Sequence, residues 1–337
     1  MATNNCHAFD LLSNQISRQK KYAWDLERDL PWELGVDPDK FLLPLDENAI
    51  VFPGLDDELR LALSQFAGLF VNTAISEMEG VIDKLRDCAW RECLRRNPVN
   101  PELETLGELF FDEELKHSRL FKRFNLAFCD RLGIDPKYLQ QILPQTFGSR
   151  FLDTIIDNAK DGGHAFWWVV ASVEEVSIGV FRQMASEKAG IDPLFFEVHR
   201  RHMEEEMRHC NYAFLILDLI HKRSKNLRQH YHARTDLILA QTSSSTWLLG
   251  ELQKMWRVQK MGSLHPFFTR LVRVVPHFKR ISPLKLPHIL YASSPYLSLF
   301  LNLRRHPLTL AKAIQTGTPH LPMPRPHDLP VLAKSLS

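Results

Sequence analysis

Four long helical patterns, arranged in two pairs, constrain the fold of this chain more than any other feature of its sequence. Each pattern repeats apolar residues three and four positions apart, and a proline-containing break separates the two members of each pair. The four patterns extend over about residues 56–96, 101–132, 164–188 and 193–222. Alternating patterns typical of β-strands do not occur between them. The sequence therefore predicts an all-α protein built on a four-helix bundle.

The rest of the chain predicts additions to this bundle. We expect three regions, namely an N-terminal lead-in, a helical domain and a basic, proline-rich C-terminal extension, at residues 1–55, 56–262 and 263–337. The lead-in contains a polar pattern at residues 9–29 that predicts a peripheral helix. Two further helices are predicted at about residues 233–262 and 264–275. Beyond them the chain is rich in proline, since 11 of its 20 prolines lie between Pro266 and Pro330.

Charge divides the chain into an acidic part and a basic part. Residues 221–337 hold 18 Lys and Arg against 3 Asp and Glu, whereas the first 220 residues hold 24 against 37. The basic C-terminal arm is expected to pack against the acidic body. Docking of an acidic carrier protein and contact with an anionic membrane surface are the alternatives. Nucleic acid is not an expected partner, because the net charge is only +2 and no binding module is recognisable.

Cysteine usage and hydropathy exclude several classes of protein. The five cysteines are an odd number and form no CxxC pair, which argues against a disulfide framework or a cysteine-based zinc module. The first thirty residues contain no apolar core of a signal peptide, and no apolar run is long enough to span a membrane. These features predict a cytoplasmic protein.

The second helical pattern contains an ExxH unit, formed by Glu114 and His117, on an apolar and strongly aromatic face. A carboxylate and an imidazole buried there without partners would cost several kcal/mol. An ExxH on a solvated surface is common by chance, but the aromatic neighbours favour a pair of metal ligands.

The fourth pattern contains His202, Glu206 and His209, which lie within roughly 60° of one another on a helix surface. Apolar residues share this face, so it is expected to point into the bundle. Glu204, Glu205 and Arg208 lie between these positions and are expected on the solvated side of the same helix.

Two ExxH units predict a centre for two metal ions, which needs one further Glu from each of the other two helices. The first helix offers Glu77 and Glu79, and the third offers Glu174 and Glu175. Helical periodicity does not decide either choice, although the apolar face of the first helix leans toward Glu77. Carboxylates and imidazoles without cysteine form a hard, oxygen-rich donor set that suits iron better than structural zinc.

These residues resemble the p-aminobenzoate N-oxygenase family of ferritin-like di-iron oxygenases over about residues 60–225. The resemblance rests on the third histidine, His202, one turn before the last Glu, and on the segment NTAISEMEGVI, which places Glu79 as a ligand. The interval from Glu175 through Ile191 and Pro193 to His202 resembles the family's Glu-to-His interval and implies Glu175. The full ligand set implied by the resemblance is Glu79, Glu114, His117, Glu175, His202, Glu206 and His209.

The resemblance implies an enzyme, a non-haem di-iron oxygenase of the monooxygenase type. Its cofactors would be two iron ions, with O2 as co-substrate and an external electron donor. It would convert a primary amine to a hydroxylamine in a biosynthetic pathway, with oxidation onward to nitroso or nitro left open.

The implied partners are a small amine, free or bound to a carrier protein, an external reductase, and a second copy of the chain in a homodimer. C-hydroxylation, desaturation or C–C cleavage on the same scaffold, and a non-catalytic iron-binding bundle, are the alternatives. The sequence identifies no substrate-binding residues.

Overall fold

The computed structural model describes residues 13–44, 55–91, 101–145, 164–186, 188–223, 250–251 and 253–278. Four long helices are present: α1 (Asp57–Leu85), α2 (Pro101–Leu132), α3 (His164–Ser186) and α4 (Pro193–Arg223). Helix α1 packs mainly against α2, and α3 packs mainly against α4, while α2 also contacts α4. The predicted all-α fold with a four-helix bundle is confirmed. None of the described helices is long and apolar enough to span a membrane.

For the four long helices, the predicted bounds agree with the structure except at the end of the first helix. Helix α1 was expected to reach about Arg96, but its α-helical hydrogen bonding ends at Leu85 and a π-helical turn, Arg86–Arg91, follows. Such turns widen a helix without breaking it, so periodicity alone does not reveal them. This turn brings Trp90 into the core, where the side chain is 1% exposed.

Two Gly-Ile-Asp-Pro breaks direct the chain from one helix into the next. Gly133 has a φ of 71°, which glycine adopts without strain, and it follows the end of α2. Asp135 in the first break caps the short helix Pro136–Gln140, and Asp192 in the second break caps α4. The proline of each break is the first residue of the helix that follows. Asp192 is fully buried and accepts a hydrogen bond of 2.6 Å from the Phe195 amide at the start of α4.

The N-terminal residues run along the bundle and are attached to it by backbone hydrogen bonds. Residues 13–21 are helical. Further along, the Asp37 amide donates to Asp192 Oδ2 at 2.7 Å, and the Asp192 amide donates to the Phe41 carbonyl at 2.8 Å. Gln65 of α1 donates to the carbonyl of Pro38 at 2.7 Å. The lead-in therefore packs against both α1 and the beginning of α4.

A further helix, α5 (Pro266–Phe278), packs against α1. It buries Phe267, Leu271 and Val275 in the core, and Arg273 forms an ion pair with Glu58. The beginning of the predicted C-terminal extension thus belongs to the packed structure. Of the helix predicted at residues 233–262, the part at Lys254–Lys260 is 3-10 helical instead, and residues 224–249 lie outside the described residues, as do residues 279–337.

Gly107 allows α2 to approach a buried aromatic cluster, and its replacement by alanine is expected to destabilise the protein. The added Cβ would lie 2.4 Å from the Trp90 ring and 2.6 Å from the Tyr212 hydroxyl, and both side chains are fully buried. We expect a net loss of about 1–2 kcal/mol from overpacking, measured by denaturant unfolding. The matched control is Gly80→Ala in α1, where the added Cβ would lie in ordinary contact with Ser118 Oγ at 3.6 Å. That change should stabilise by up to about 1 kcal/mol through helix propensity. Equal shifts for the two variants would contradict this explanation.

Candidate metal centre

Buried carboxylates and imidazoles from all four long helices meet inside the bundle. Helix α1 contributes one residue, α2 two, α3 one and α4 three. All are 2% exposed or less: Glu79, Glu114, His117, Glu174, His202, Glu206 and His209. Because unpaired charges are so costly in the interior, this concentration requires compensation by protons or by metal ions.

The side chains form two overlapping groups in which the potential ligand atoms all lie within 4.8 Å of one another. One group contains Glu79, His117, His202 and Glu206; the other contains Glu114, His117, Glu206 and His209. His117 and Glu206 belong to both groups. The arrangement is that of a two-metal site in a helical bundle, with ligands contributed by facing helices.

Glu206 lies between the two groups, because its two oxygen atoms face different histidines. Its Oε1 is 2.5 Å from His202 Nε2 and 3.0 Å from His117 Nδ1. Its Oε2 is 3.2 Å from His209 Nδ1. A carboxylate in this position can contribute one oxygen to each of two metal ions.

Each group is completed by a carboxylate from a different helix. Glu79 Oε1 is 2.9 Å from His202 Nε2 in the first group. Glu114 Oε1 is 2.7 Å from His209 Nδ1 in the second. Glu79 is therefore the α1 carboxylate in the centre, whereas Glu77 is only partly buried.

The donor atoms that face inward fit divalent cations. Several of them have no hydrogen-bond partner among the described residues, although neighbouring donors and acceptors are close. They are Glu79 Oε2, both oxygens of Glu114, His117 Nδ1, Glu174 Oε1 and Glu206 Oε1. Buried polar atoms are rarely left unsatisfied, and lone pairs directed into a shared space are what a metal ion binds. Four carboxylates also carry the charge needed to balance two divalent ions.

The α3 carboxylate that reaches this centre is Glu174. It is 2% exposed and hydrogen-bonded to the side chain of Glu206. The resemblance implied Glu175 instead, and the side chain of Glu175 lies outside the described residues. We propose Glu174 as the ligand from α3, because consecutive helical residues diverge by about 100° and cannot both face the same centre.

Two further carboxylates lie behind the histidines, and sequence reasoning missed both. Glu205 was expected in solvent, but this expectation is wrong, since its side chain is fully buried and accepts a hydrogen bond of 2.6 Å from His117 Nε2. Glu113 similarly accepts a hydrogen bond of 2.9 Å from His209 Nε2. Each carboxylate orients a histidine of the opposite helix and leaves that histidine's Nδ1 directed toward the centre.

A repeated sequence pattern could have revealed these two residues. Helices α2 and α4 carry the related stretches EELKH and EEMRH, at residues 113–117 and 205–209. In both stretches the first Glu binds the histidine of the other stretch, and the second Glu is a candidate ligand. The basic residues are also involved, since Lys116 Nζ donates to Glu205 Oε1 at 2.7 Å and Arg208 Nη2 lies 3.4 Å from the same oxygen.

Comparison with protein families decides what kind of centre this is. The family model described as p-aminobenzoate N-oxygenase AurF matches residues 10–248, which is more than half of the chain. The chain belongs to this family. A search of curated proteins finds no significant match. Among solved structures, an R2-like ligand-binding oxidase mutant with an aerobically reconstituted Mn/Fe cofactor is similar, with 14% sequence identity and a TM-score of 0.47. The similarity covers 90% of this chain and 93% of that one.

As a member of the AurF family, the protein is a two-metal oxygenase, and the carboxylate–histidine cluster is its metal centre. Every residue that the resemblance implied on α1, α2 and α4 lies in this cluster. Its position in the bundle interior shields the metal ions from bulk water, so that oxidising chemistry is confined to what enters the site.

The electrostatics of the centre separate its carboxyl groups into two kinds. Burial and the nearby charge of Glu206 raise the pKa of Glu114 to about 7, and they raise the pKa of Glu174 well above its ordinary value. Burial also acts to raise the pKa of Glu206, but the positive charges of His202 and His209 outweigh it and hold that pKa well below its ordinary value. Glu206 thus stays anionic, whereas Glu174 holds a proton and Glu114 is partly protonated near neutral pH, and metal ions must displace those protons to bind.

The outer carboxylates, Glu113 and Glu205, strengthen the imidazoles as ligands. Burial acts to lower the pKa of His117, but the hydrogen bond to Glu205 and the adjacent carboxylate of Glu206 overcome this effect and raise the pKa to about 10. The same interaction, together with the charge of Lys116, outweighs burial and lowers the pKa of Glu205 to about 2. Glu205 is therefore a fixed negative charge behind His117.

Replacing Glu205 with alanine is expected to weaken metal binding about 10- to 100-fold, because His117 loses the partner that fixes its ring. Competition titration of the metal-free protein with Co2+ and a chelator measures this change. The control is Glu204→Ala, since Glu204 is partly exposed and paired with Arg200 at the surface. If both variants bind Co2+ like the unaltered protein, Glu205 does not orient a ligand.

Proposed function

We propose that this protein is a non-haem di-iron oxygenase that uses O2 and electrons from an external donor to N-oxygenate a primary amine. The observation that carries this proposal is the third imidazole, His202, which lies beside Glu79 and Glu206 in the centre of an AurF-family bundle. A pair of ExxH units would supply only two imidazoles, so His202 is an additional potential ligand.

Iron suits the donor set better than other common metals. Four carboxylates and three imidazoles offer hard and borderline donors with enough ligands for two ions, and no cysteine is among them. When bound, two iron ions would supply the activation of O2. Four carboxylates would neutralise the charge of two Fe2+ ions, so that little net charge is buried.

The reaction balances with one O2 and two electrons for each oxygen atom transferred. One oxygen atom forms a bond to the amine nitrogen and gives the hydroxylamine. The other oxygen atom takes up two electrons and two protons and leaves as water. The chain's own task is to hold the ligands, to exclude bulk water and to admit an amine whose nitrogen lone pair faces the centre.

The test is single-turnover oxidation of arylamines, beginning with p-aminobenzoate. The metal-free protein is reconstituted anaerobically with Fe2+, reduced, mixed with the amine and isotopically labelled O2, and the products are identified by mass spectrometry. We expect label in a new N–O bond, and its loss in His202→Ala. The matched control is Glu204→Ala, which changes a partly exposed residue of the same helix.

Other outcomes distinguish the alternatives. Label in a new C–O bond, or an unsaturated or cleaved product from aliphatic substrates, would identify another oxygenase reaction at the same centre. Iron uptake without substrate-dependent O2 consumption would indicate a non-catalytic iron-binding bundle. Metal analysis after the metal-free protein has been offered iron, manganese, cobalt and zinc together tests iron directly against the other three metals.

A further inference from the structure

The N-terminal strap, residues 13–34, touches the outer side of the metal centre at two places. Gln19 is 2% exposed and Trp24 is 6% exposed, although the residues around them on the strap are mostly in contact with solvent. Gln19 contacts the outer carboxylate Glu113, and Trp24 contacts Lys116, which binds the outer carboxylate Glu205. The strap therefore does more than cover apolar surface.

Gln19 contacts the half of the centre that contains His209. Its Nε2 donates to Glu113 Oε2 at 2.7 Å, and the same oxygen accepts from His209 Nε2 at 2.9 Å. A carboxylate that receives two hydrogen bonds on one oxygen has its side-chain rotation fixed. Gln19 thereby limits how the His209 ring can turn, and with it the direction of Nδ1.

Trp24 contacts His117, which belongs to both ligand groups. Its ring is nearly parallel to the His117 imidazole, at 18° with the centroids 6.1 Å apart. Lys116 Nζ lies 3.8 Å from the Trp24 ring centroid and donates to Glu205 Oε1 at 2.7 Å. The indole face thus holds Lys116 by a cation–π contact, and Lys116 holds the carboxylate that orients His117.

The strap is itself anchored to α2, so that these contacts are held in place. Arg123 forms an ion pair with Glu27, and its guanidinium lies 4.0 Å from the Trp32 ring centroid. Trp32 Nε1 donates to the Leu26 carbonyl at 2.7 Å and closes the turn that follows Trp24. These contacts fix the backbone on the C-terminal side of Trp24.

We propose that Gln19 and Trp24 are positioning residues of the metal centre, Gln19 through His209, which belongs to one ligand group, and Trp24 through His117, which belongs to both. Both act through other side chains and neither is a ligand. The proposal rests on the two-metal centre of the proposed function. It also gives a role to the hydrogen bond that Gln19 donates to Glu113 from outside the four-helix bundle.

The experiment measures stepwise Co2+ binding to the full-length, metal-free protein by competition with a chelator. Direct loss of an outer carboxylate typically costs 10- to 100-fold in affinity, and Gln19 acts one hydrogen bond further away. Gln19→Leu is therefore expected to weaken one of the two ions about 3- to 10-fold and to leave the other within about twofold. Trp24→Leu should weaken the binding of at least the ion whose affinity Gln19→Leu leaves unchanged. Trp24→Phe keeps an aromatic face for Lys116 and should recover most of the Co2+ affinity.

Tyr22→Ala is the matched control on the same strap, since Tyr22 is 54% exposed. Its Co2+ affinities should equal those of the unaltered protein. Co2+ absorption bands should shift in Gln19→Leu and Trp24→Leu but not in Tyr22→Ala.

Two results would overturn the positioning role. One is Co2+ binding by Gln19→Leu and Trp24→Leu that equals the control. The other is loss of both ions together in proportion to a lower melting temperature, which would make the strap a stabilising cover only. If the unaltered protein does not bind two ions, the metal centre of the proposed function fails, and that failure is distinct from a strap that has no effect.

Discussion

Replacing Glu206 with alanine is expected to abolish binding of both metal ions. Glu206 is the carboxylate common to the two ligand groups, and its two oxygens face different histidines. Loss of an outer partner alone costs about 10- to 100-fold in affinity, so loss of a shared ligand should cost at least about 100-fold at each site. Metal analysis after reconstitution and gel filtration should fall from two ions per chain to none.

Two comparisons make this result specific. His209 belongs to only one ligand group, so His209→Ala should retain one ion more readily than Glu206→Ala does. Glu204→Ala, two residues away on the same helix, should retain both. Circular dichroism should show that all three variants keep their helical content. Retention of both ions by a folded Glu206→Ala protein would refute a centre built around this carboxylate.

The helices were predictable because local chemistry marks their ends. Gly133 and the aspartates of the two Gly-Ile-Asp-Pro breaks supply a left-handed turn and helix caps, and the structure begins and ends its helices there. Nothing comparable marks the π-helical turn after Leu85. That turn depends on tertiary packing of Trp90, which a single helix pattern does not contain.

The ligands on α2 and α4 were predictable because each helix places polar residues within an otherwise apolar face. Helix α1 behaves differently, since α2, α3 and α5 all pack against it and its buried residues extend over much of its circumference. Because so much of its surface is buried, the apolar pattern of α1 does not show which side of the helix faces the metal centre. That pattern leaned toward Glu77. Only the family resemblance selected Glu79.

The outer carboxylates could not be predicted from one helix at a time. Glu205 lies between ligand positions and looks like a residue of a solvated face. Its burial is explained by Lys116 and His117 of another helix. The relevant signal was the similarity between EELKH and EEMRH, which becomes informative once the two helices are known to face each other.

Helix α3 carries two consecutive glutamates, Glu174 and Glu175, and their replacement by alanine is expected to have different effects on metal binding. Glu174→Ala is expected to remove at least one metal ion and to lower the rate of amine oxidation at least about 100-fold. Its buried carboxyl is hydrogen-bonded to Glu206, and the charges of Glu206, Glu114 and Glu79 all act on it. Alanine in its place would also remove one of the four negative charges that balance two divalent ions.

Glu175→Ala is the matched control, since it removes the same side-chain atoms from the adjacent residue of the same helix. Successive helical residues diverge by about 100°, so we expect only one of the two glutamates to act as a metal ligand. We expect Glu175→Ala to keep two ions per chain and to oxidise amine within about threefold of the unaltered rate. The opposite pattern, with metal lost from Glu175→Ala and kept by Glu174→Ala, would mean that α3 is rotated by one residue relative to the arrangement described above. The ligand implied by the family's Glu-to-His interval would then be Glu175, and the hydrogen bond between Glu174 and Glu206 would have no part in holding metal.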